Sequence, residues 1–147
     1  MFGLSTREKL YDLILNTSKN CMNMYISGVQ ELLTNPNNID NDEAMNAGFV
    51  RVRREYLDEV ANNVFNFFKV SSPAVHARLQ LLMVSPQICG LSEELFEVDT
   101  GLSAGMVYGL CYYAVTNKKV KTYDCSKLSH LQNDLMNQAL AKLSENM

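Results

Sequence analysis

Residues 47–68 read AGFVRVRREYLDEVANNVFNFF, and this stretch decides the fold class. Its apolar residues recur at intervals of three and four, the spacing of one face of an α-helix. The main apolar line, which also contains Arg54, consists of Ala47, Val50, Leu57, Val60, Ala61, Val64, Phe67 and Phe68. Further apolar residues lie off that line, namely Phe49, Val52, Tyr56 and Phe65. We therefore expect a wide apolar face and a central helix with more than one neighbour.

A second helical stripe precedes this stretch, with apolar or small residues at helical spacing from Leu10 to Leu32. Ser5 and Glu8 form an S-x-x-E capping box, so we expect a helix from Thr6 to about Leu33. Asn35-Pro36 ends it, because the residue before proline is disfavoured in the α region. The stretches around Leu10–Leu32 and Val50–Phe68 are expected to be the longest helices.

Cap signals mark the other helix starts. Asp40, Asn41 and Asp42 can cap the central helix. Ser72-Pro73 predicts a helix over about 73–84, which Ser85-Pro86 kinks or restarts and Gly90 terminates. Ser103 is expected to cap a helix over 104–115, with the core residues Met106, Leu110 and Cys111.

The C-terminal part is predicted to hold one more helix, with Leu128, Leu131 and Leu135 on its apolar face. Asp124 or Ser126 is the expected cap. The weak strand candidate of the chain is the stretch 119–123.

The composition agrees with a helical domain. The chain has 147 residues, of which 47% are hydrophobic and 20% charged, and only seven are glycine and three proline. So few helix-breaking residues favour long helices. The length suits one domain, so we predict a single all-α domain over residues 1–147, a compact bundle of about five to seven helices.

Several functional classes are disfavoured by composition. The opening MFGLSTREKL turns polar too early for a secretion signal, and the longest apolar stretch, 102–115, is shorter than the ~20 residues that span a bilayer. The net charge is -3, which disfavours a nucleic-acid partner. We expect a cytoplasmic protein, monomeric or weakly dimeric, with no membrane or nucleic-acid contact.

Residues that could carry chemistry are sparse. The four cysteines form no C-x-x-C pair, and His76 and His130 are far apart, so we expect free thiols, no metal site and no cofactor. Nothing around Cys89 marks a nucleophile. The chain is therefore predicted not to be an enzyme.

One acidic segment is the predicted partner-binding site. Four acids fall within seven residues, and no lysine, arginine or histidine occurs from Ser85 to Asn117. Such a segment would steer a cationic partner. The predicted contact residues are Glu93, Glu94, Leu95, Phe96, Glu97 and Asp99. An ordinary solvated acidic turn explains the same residues equally well.

The opening MFGLSTREKLYDLILN, the expected lack of a signal, the acidic charge and the helical pattern together resemble small bacterial immunity proteins encoded beside polymorphic or contact-dependent toxins. This resemblance implies a cytosolic, non-catalytic inhibitor that binds and neutralises a cognate toxin domain, often by covering its active site. Many such toxins are nucleases with basic clefts, so the resemblance gives the segment 93–99 a role as a phosphate mimic.

Two alternatives belong to other classes. One is a helical adaptor or regulatory subunit that binds another protein through an apolar groove. The least favoured is a small helical enzyme that uses Cys89 or His76. A neighbouring open reading frame encoding a toxin domain would favour the immunity protein, whereas a polar pocket joining Cys89 to a histidine would favour the enzyme.

Overall fold

The computed structural model describes residues 5–91 and 101–146. Within these ranges the secondary structure is entirely helical, which confirms the all-α prediction. Short 3-10 turns lie at Pro36–Asn38 and Pro86–Cys89. The α-helices are α1 Thr6–Asn20, α2 Met22–Thr34, α3 Asp42–Ser71, α4 Pro73–Val84, α5 Ala104–Thr116 and α6 Thr122–Glu145.

The N-terminal stripe forms two helices and not one. Ser5 accepts a hydrogen bond from the Glu8 amide, as the capping box predicts, but the helix breaks at Cys21. One turn earlier, the Ser18 carbonyl accepts a hydrogen bond from the Tyr56 hydroxyl at 2.8 Å. This bond from another helix competes with the helical bond that the carbonyl would accept, and such competition is a recognised cause of helix breaks. The predicted length was therefore wrong: α1 and α2 have 15 and 13 residues, fewer than the 24 of α6.

Helix α3 is 30 residues long and packs against α1, α2, α4 and α5, which confirms its central position. Asn41 caps it by accepting a hydrogen bond from the Ala44 amide at 3.1 Å.

The buried face of α3 is rotated relative to the prediction at its N-terminal end. Val50 is exposed there, whereas Gly48, Val52 and Tyr56 are buried. A Cβ on Gly48 would stand 2.1 Å from Leu32 Cδ1, so the missing side chain lets α2 approach α3 along this line. Ala47 and Phe67 of the predicted line are also exposed.

The middle of the chain follows the prediction. Helix α4 spans Pro73–Val84, and Gly90 ends the following 3-10 turn in the left-handed region, with φ at 85°. Helix α5 extends one residue beyond its predicted end. Its residues Met106, Leu110 and Cys111 are all buried, which confirms their place in the core.

The start of α6 differs from the prediction. The helix begins at Thr122 after Lys121, which makes no side-chain capping bond, so neither Asp124 nor Ser126 is the cap. Asp124 lies in the first turn, where a carboxylate interacts favourably with the helix dipole, and it pairs with Arg7 at 3.3 Å. The weak strand candidate at 119–123 is also wrong, because the helix starts within it.

Side chains of α6 complete the N-terminus of α5. The first amide of α5, that of Ala104, donates to Gln132 Oε1 at 3.0 Å, and the next, that of Gly105, donates to Ser129 Oγ at 2.9 Å. The Gln132 amide in turn donates to Ser18 Oγ at 3.2 Å, which links α6 to α1. Gln132 is 1% exposed, so these bonds satisfy a polar group inside the core.

The described residues form two hydrophobic clusters. The larger joins α1, the second half of α3, α4, α5 and the start of α6: Leu10, Ile14, Ala61, Val64, Phe68, Leu79, Leu82, Cys89, Leu91, Ala104, Val107, Tyr108, Leu110, Cys111, Ala114, Val120, Cys125 and Leu128. The smaller joins α2, the first half of α3 and the end of α6: Cys21, Tyr25, Val29, Val52, Tyr56, Leu57, Val60, Met136 and Leu143.

Candidate functional site

An apolar groove lies between α1, the C-terminal end of α3 and the end of α5. Its volume is about 430 Å³. That volume falls within the range of sites that hold a small ligand or a partner's anchoring side chain. The described residues that line it are Thr6, Lys9, Leu10, Leu13, Phe67, Phe68 and Val115.

Two adjacent phenylalanines shape the groove because neighbouring positions on a helix point about 100° apart. Phe68 turns into the core and is 7% exposed, whereas Phe67 is 49% exposed on the groove wall. Their rings meet edge to face at 5.4 Å, which is a favourable aromatic geometry. The lining also includes Val115 of α5, which is 39% exposed. Because Phe68 is packed in the core, the adjacent side chain of Phe67 stays partly exposed to solvent.

The groove has one ionisable side chain among its described lining residues, the ammonium of Lys9. The lining therefore offers one cation beside apolar surface. The arrangement is suited to holding an apolar group next to a carboxylate.

Helix α4 carries a second exposed apolar surface. Leu81 is 73% exposed and Val84 is 82% exposed, and with Ala74 and Ala77 they follow a spacing of three and four along one side of the helix. The opposite side buries Leu79 and Leu82 in the core, so α4 is apolar on both faces. Sequence reasoning missed this face, although the largely apolar stretch LQLLMV at 79–84 was its signal.

The predicted contact residues Glu93, Glu94, Leu95, Phe96, Glu97 and Asp99 lie outside the described residues. The acidic site therefore stays a prediction. The groove was not predicted from any motif, because its lining comes from three helices that are distant in sequence.

The candidate nucleophile Cys89 is fully buried. Burial raises the pKa of its thiol to about 11, which disfavours the thiolate that a nucleophile needs. All four cysteines are free, as predicted from their spacing. Among residues 5–91 and 101–146, no three His, Cys, Asp or Glu side chains come together in a group that could hold a metal ion.

Comparisons with protein-family models, curated proteins and solved structures gave no match. In the part of the chain that the structure describes, none of the helices combines the length and apolar character needed to cross a bilayer.

Proposed function

We propose that the protein acts without catalysis, by stoichiometric binding of another protein through the apolar groove. The observation that carries the proposal is the pair of half-exposed groove walls, Phe67 and Val115, beside the ammonium of Lys9. The partner fits this chemistry if it presents an aromatic or aliphatic side chain next to a carboxylate, as an amphipathic helix with acidic flanks does.

The apolar surface is large enough to matter energetically. A phenylalanine buries roughly 150–250 Å², so covering the exposed half of Phe67 removes about 100 Å² from water. At about 25 cal/mol per Å², this contributes about 2.5 kcal/mol. Val70, one turn further along α3, is 86% exposed and extends the apolar surface.

The narrower role proposed for the protein is that of an immunity protein that neutralises a cognate toxin domain, which rests on the resemblance of the sequence. In that role the acidic segment 93–99 is a second contact, facing a basic cleft. The alternative, a helical adaptor or regulatory subunit, uses the same groove and differs only in the partner. Co-expression with the product of a neighbouring toxin gene separates them, because only an immunity protein restores growth.

The groove can be tested first with a probe of matching chemistry. Anilinonaphthalene sulfonate has an apolar ring system and one anionic group, so its fluorescence should rise when it binds the native protein. Phe67→Ser and Lys9→Glu should each weaken binding. Ile39→Ser is the matched control, because Ile39 is 58% exposed and lies outside the groove lining. If all three variants bind the probe equally well, the groove is not the site at which the probe binds.

The protein partner is then tested with the same variants. The partner is first captured by a pull-down from the source cell. Its binding, measured by calorimetry, should show a 1:1 ratio and weaken at least about tenfold with Phe67→Ser, equivalent to about 1.4 kcal/mol. Charge reversal of Glu93, Glu94 and Glu97 to Lys should slow association at low salt if the acidic segment contributes. Unchanged affinity of the Phe67 variant would refute the groove, and turnover of a substrate by the pure protein would refute the non-catalytic role.

A further inference from the structure

A second cavity, of about 210 Å³, lies on another side of α1, against α5 and the beginning of α6. Its described lining is Arg7, Tyr108, Tyr112, Lys119, Lys121 and Asp124. Three cations and one carboxylate give it a local charge of +2, although the whole chain carries -3. The single ion pair found within the described ranges, Arg7 with Asp124, leaves both lysines without an acidic partner there.

The two lysines are placed by the loop between α5 and α6. Asn117 ends α5 in the left-handed region, with φ at 59°. Val120 then turns inward and is 8% exposed, and its amide donates to the Cys89 carbonyl at 3.1 Å. The residues on either side of Val120, Lys119 and Lys121, both line the cavity. The anchored loop therefore places two lysine residues at one cavity.

The side chain of Tyr108 points to a ligand independently of the charges. Tyr108 is 1% exposed, yet its hydroxyl makes no hydrogen bond to any residue in the described ranges. Within the described ranges, every fully enclosed polar side-chain atom has a hydrogen-bond partner. The Tyr108 hydroxyl has none, so it is not fully enclosed, and the open space that Tyr108 lines is the cavity. Its ring is fixed edge to face against Tyr11 at 5.1 Å. The side chain of Tyr108 is thus buried except where it meets the cavity, and its hydroxyl can donate to a ligand or water there.

The N-terminal end of α6 also borders the cavity, through Lys121 and Asp124. The helix begins after Lys121 without a side-chain cap, so its N-terminal amides and dipole favour a nearby anion. The Asp124 carboxylate in the first turn already interacts with the helix dipole, and the ion pair with Arg7 offsets its negative charge.

We propose that this cavity binds the phosphoryl group of a small phosphate monoester. A monoester carries about -1.5 to -2 charges near pH 7, which matches the local charge of +2, whereas a carboxylate supplies one charge. Its oxygens are strong acceptors for two ammonium groups, a guanidinium and the Tyr108 hydroxyl. The cavity has the volume of about seven waters at ~30 Å³ each, which leaves space for a short organic group beside the phosphoryl group.

The test is calorimetry of the full chain with inorganic phosphate and with glycerol phosphate at constant ionic strength, and with acetate as the singly charged comparison. Both phosphates should saturate one site at up to about 10 mM, and acetate should bind at least about tenfold more weakly. Lys119→Met and Lys121→Met should each weaken phosphate binding about tenfold. Lys118→Met is the matched control, since it removes the same charge from a neighbouring residue outside the lining.

Two further variants separate specific binding from loss of structure. Tyr108→Phe should weaken phosphate binding severalfold without lowering the melting temperature, because its hydroxyl bonds to none of the described residues. Asp124→Asn removes the opposing charge and should strengthen phosphate binding, with folding confirmed by circular dichroism. The groove variant Phe67→Ser should bind phosphate normally, so failure of one site is distinguishable from failure of the other.

The proposal is overturned if phosphate does not saturate the site in this range, or if Lys118→Met weakens binding as much as Lys119→Met does. It is also overturned if phosphatidylcholine vesicles containing phosphatidate bind the protein while glycerol phosphate does not compete, because the ligand would then be a membrane surface.

Discussion

Replacing Gln132 by Met tests how α5 is held in the core. Methionine has nearly the same length and shape as glutamine, so the change removes two hydrogen bonds and leaves the packed volume almost intact. The Ala104 amide loses its acceptor at 3.0 Å, and Ser18 Oγ loses the donor at 3.2 Å. Both groups lie in a buried part of the molecule, where water cannot replace the lost partner.

The magnitude follows from the unequal cost of the two losses. A buried amide left without an acceptor costs about 1–3 kcal/mol, and the lost side-chain bond about 1 kcal/mol. Greater burial of apolar atoms by Met offsets part of this sum. Ser18 Oγ keeps its bond to the Ile14 carbonyl at 2.8 Å, so it is not left without a partner. We expect a net loss of about 2 kcal/mol in the free energy of unfolding.

The assay is urea unfolding followed by circular dichroism, with the wild type and Gln138→Met in parallel. Gln138 is an exposed residue of the same helix, so its replacement should change stability by less than about 0.5 kcal/mol. For a chain of this size, the expected loss lowers the melting temperature by about 4–8 °C. If Gln132→Met is as stable as Gln138→Met, the amide of Ala104 does not depend on α6, and the reasoning is refuted.

Three further predictions concern the core. Leu110→Ala should lower the free energy of unfolding by about 2–5 kcal/mol, because Leu110 is fully buried, and a loss below about 0.5 kcal/mol in urea unfolding would contradict this. Gly105→Ala should lower the free energy of unfolding by more than about 2 kcal/mol in the same assay, because the new Cβ would stand 2.4 Å from the Cys125 carbonyl oxygen. This loss should outweigh the better helix propensity of alanine. A stabilised variant would show that α5 and α6 separate easily. Burial raises the pKa of Cys89 to about 11 and that of Tyr56 to about 12, so the unfolded chain releases these protons first as pH rises above about 9. The urea midpoint should therefore fall between about pH 8 and about pH 10.5, and a constant or rising midpoint would contradict this.

Local signals predicted most helix boundaries correctly. Ser5, Pro73 and Ser103 act through the nearest few residues, so their effect is readable without knowledge of the fold. The break at Cys21 was not readable, because the hydroxyl that competes for the Ser18 carbonyl comes from Tyr56, 38 residues away. The rotated face of α3 likewise depends on how closely α2 approaches Gly48.

The candidate sites could be predicted less well than the fold. The charge at Lys119 and Lys121 is visible in the sequence, but its position just after the end of α5 indicates by itself only a favourable interaction with the helix dipole. Their convergence with Arg7 and Tyr108 depends on the packing of α1 against α5 and on the anchored loop. The groove likewise depends on which of two adjacent phenylalanines turns outward, a choice made by the neighbouring helices.

The break at Cys21 has a consequence for the dynamics of the protein. Because α1 belongs to the larger cluster and α2 to the smaller one, α2 can detach without unwinding α1. The smaller cluster has half as many buried residues as the larger, so its opening exposes less apolar surface. In native-state hydrogen exchange, the amides of α2 should therefore exchange through a partial opening of the structure. The amides of α5 should exchange only when the whole protein unfolds. The break beside the Tyr56–Ser18 hydrogen bond thus separates one amphipathic stretch into two helices that we expect to differ in stability.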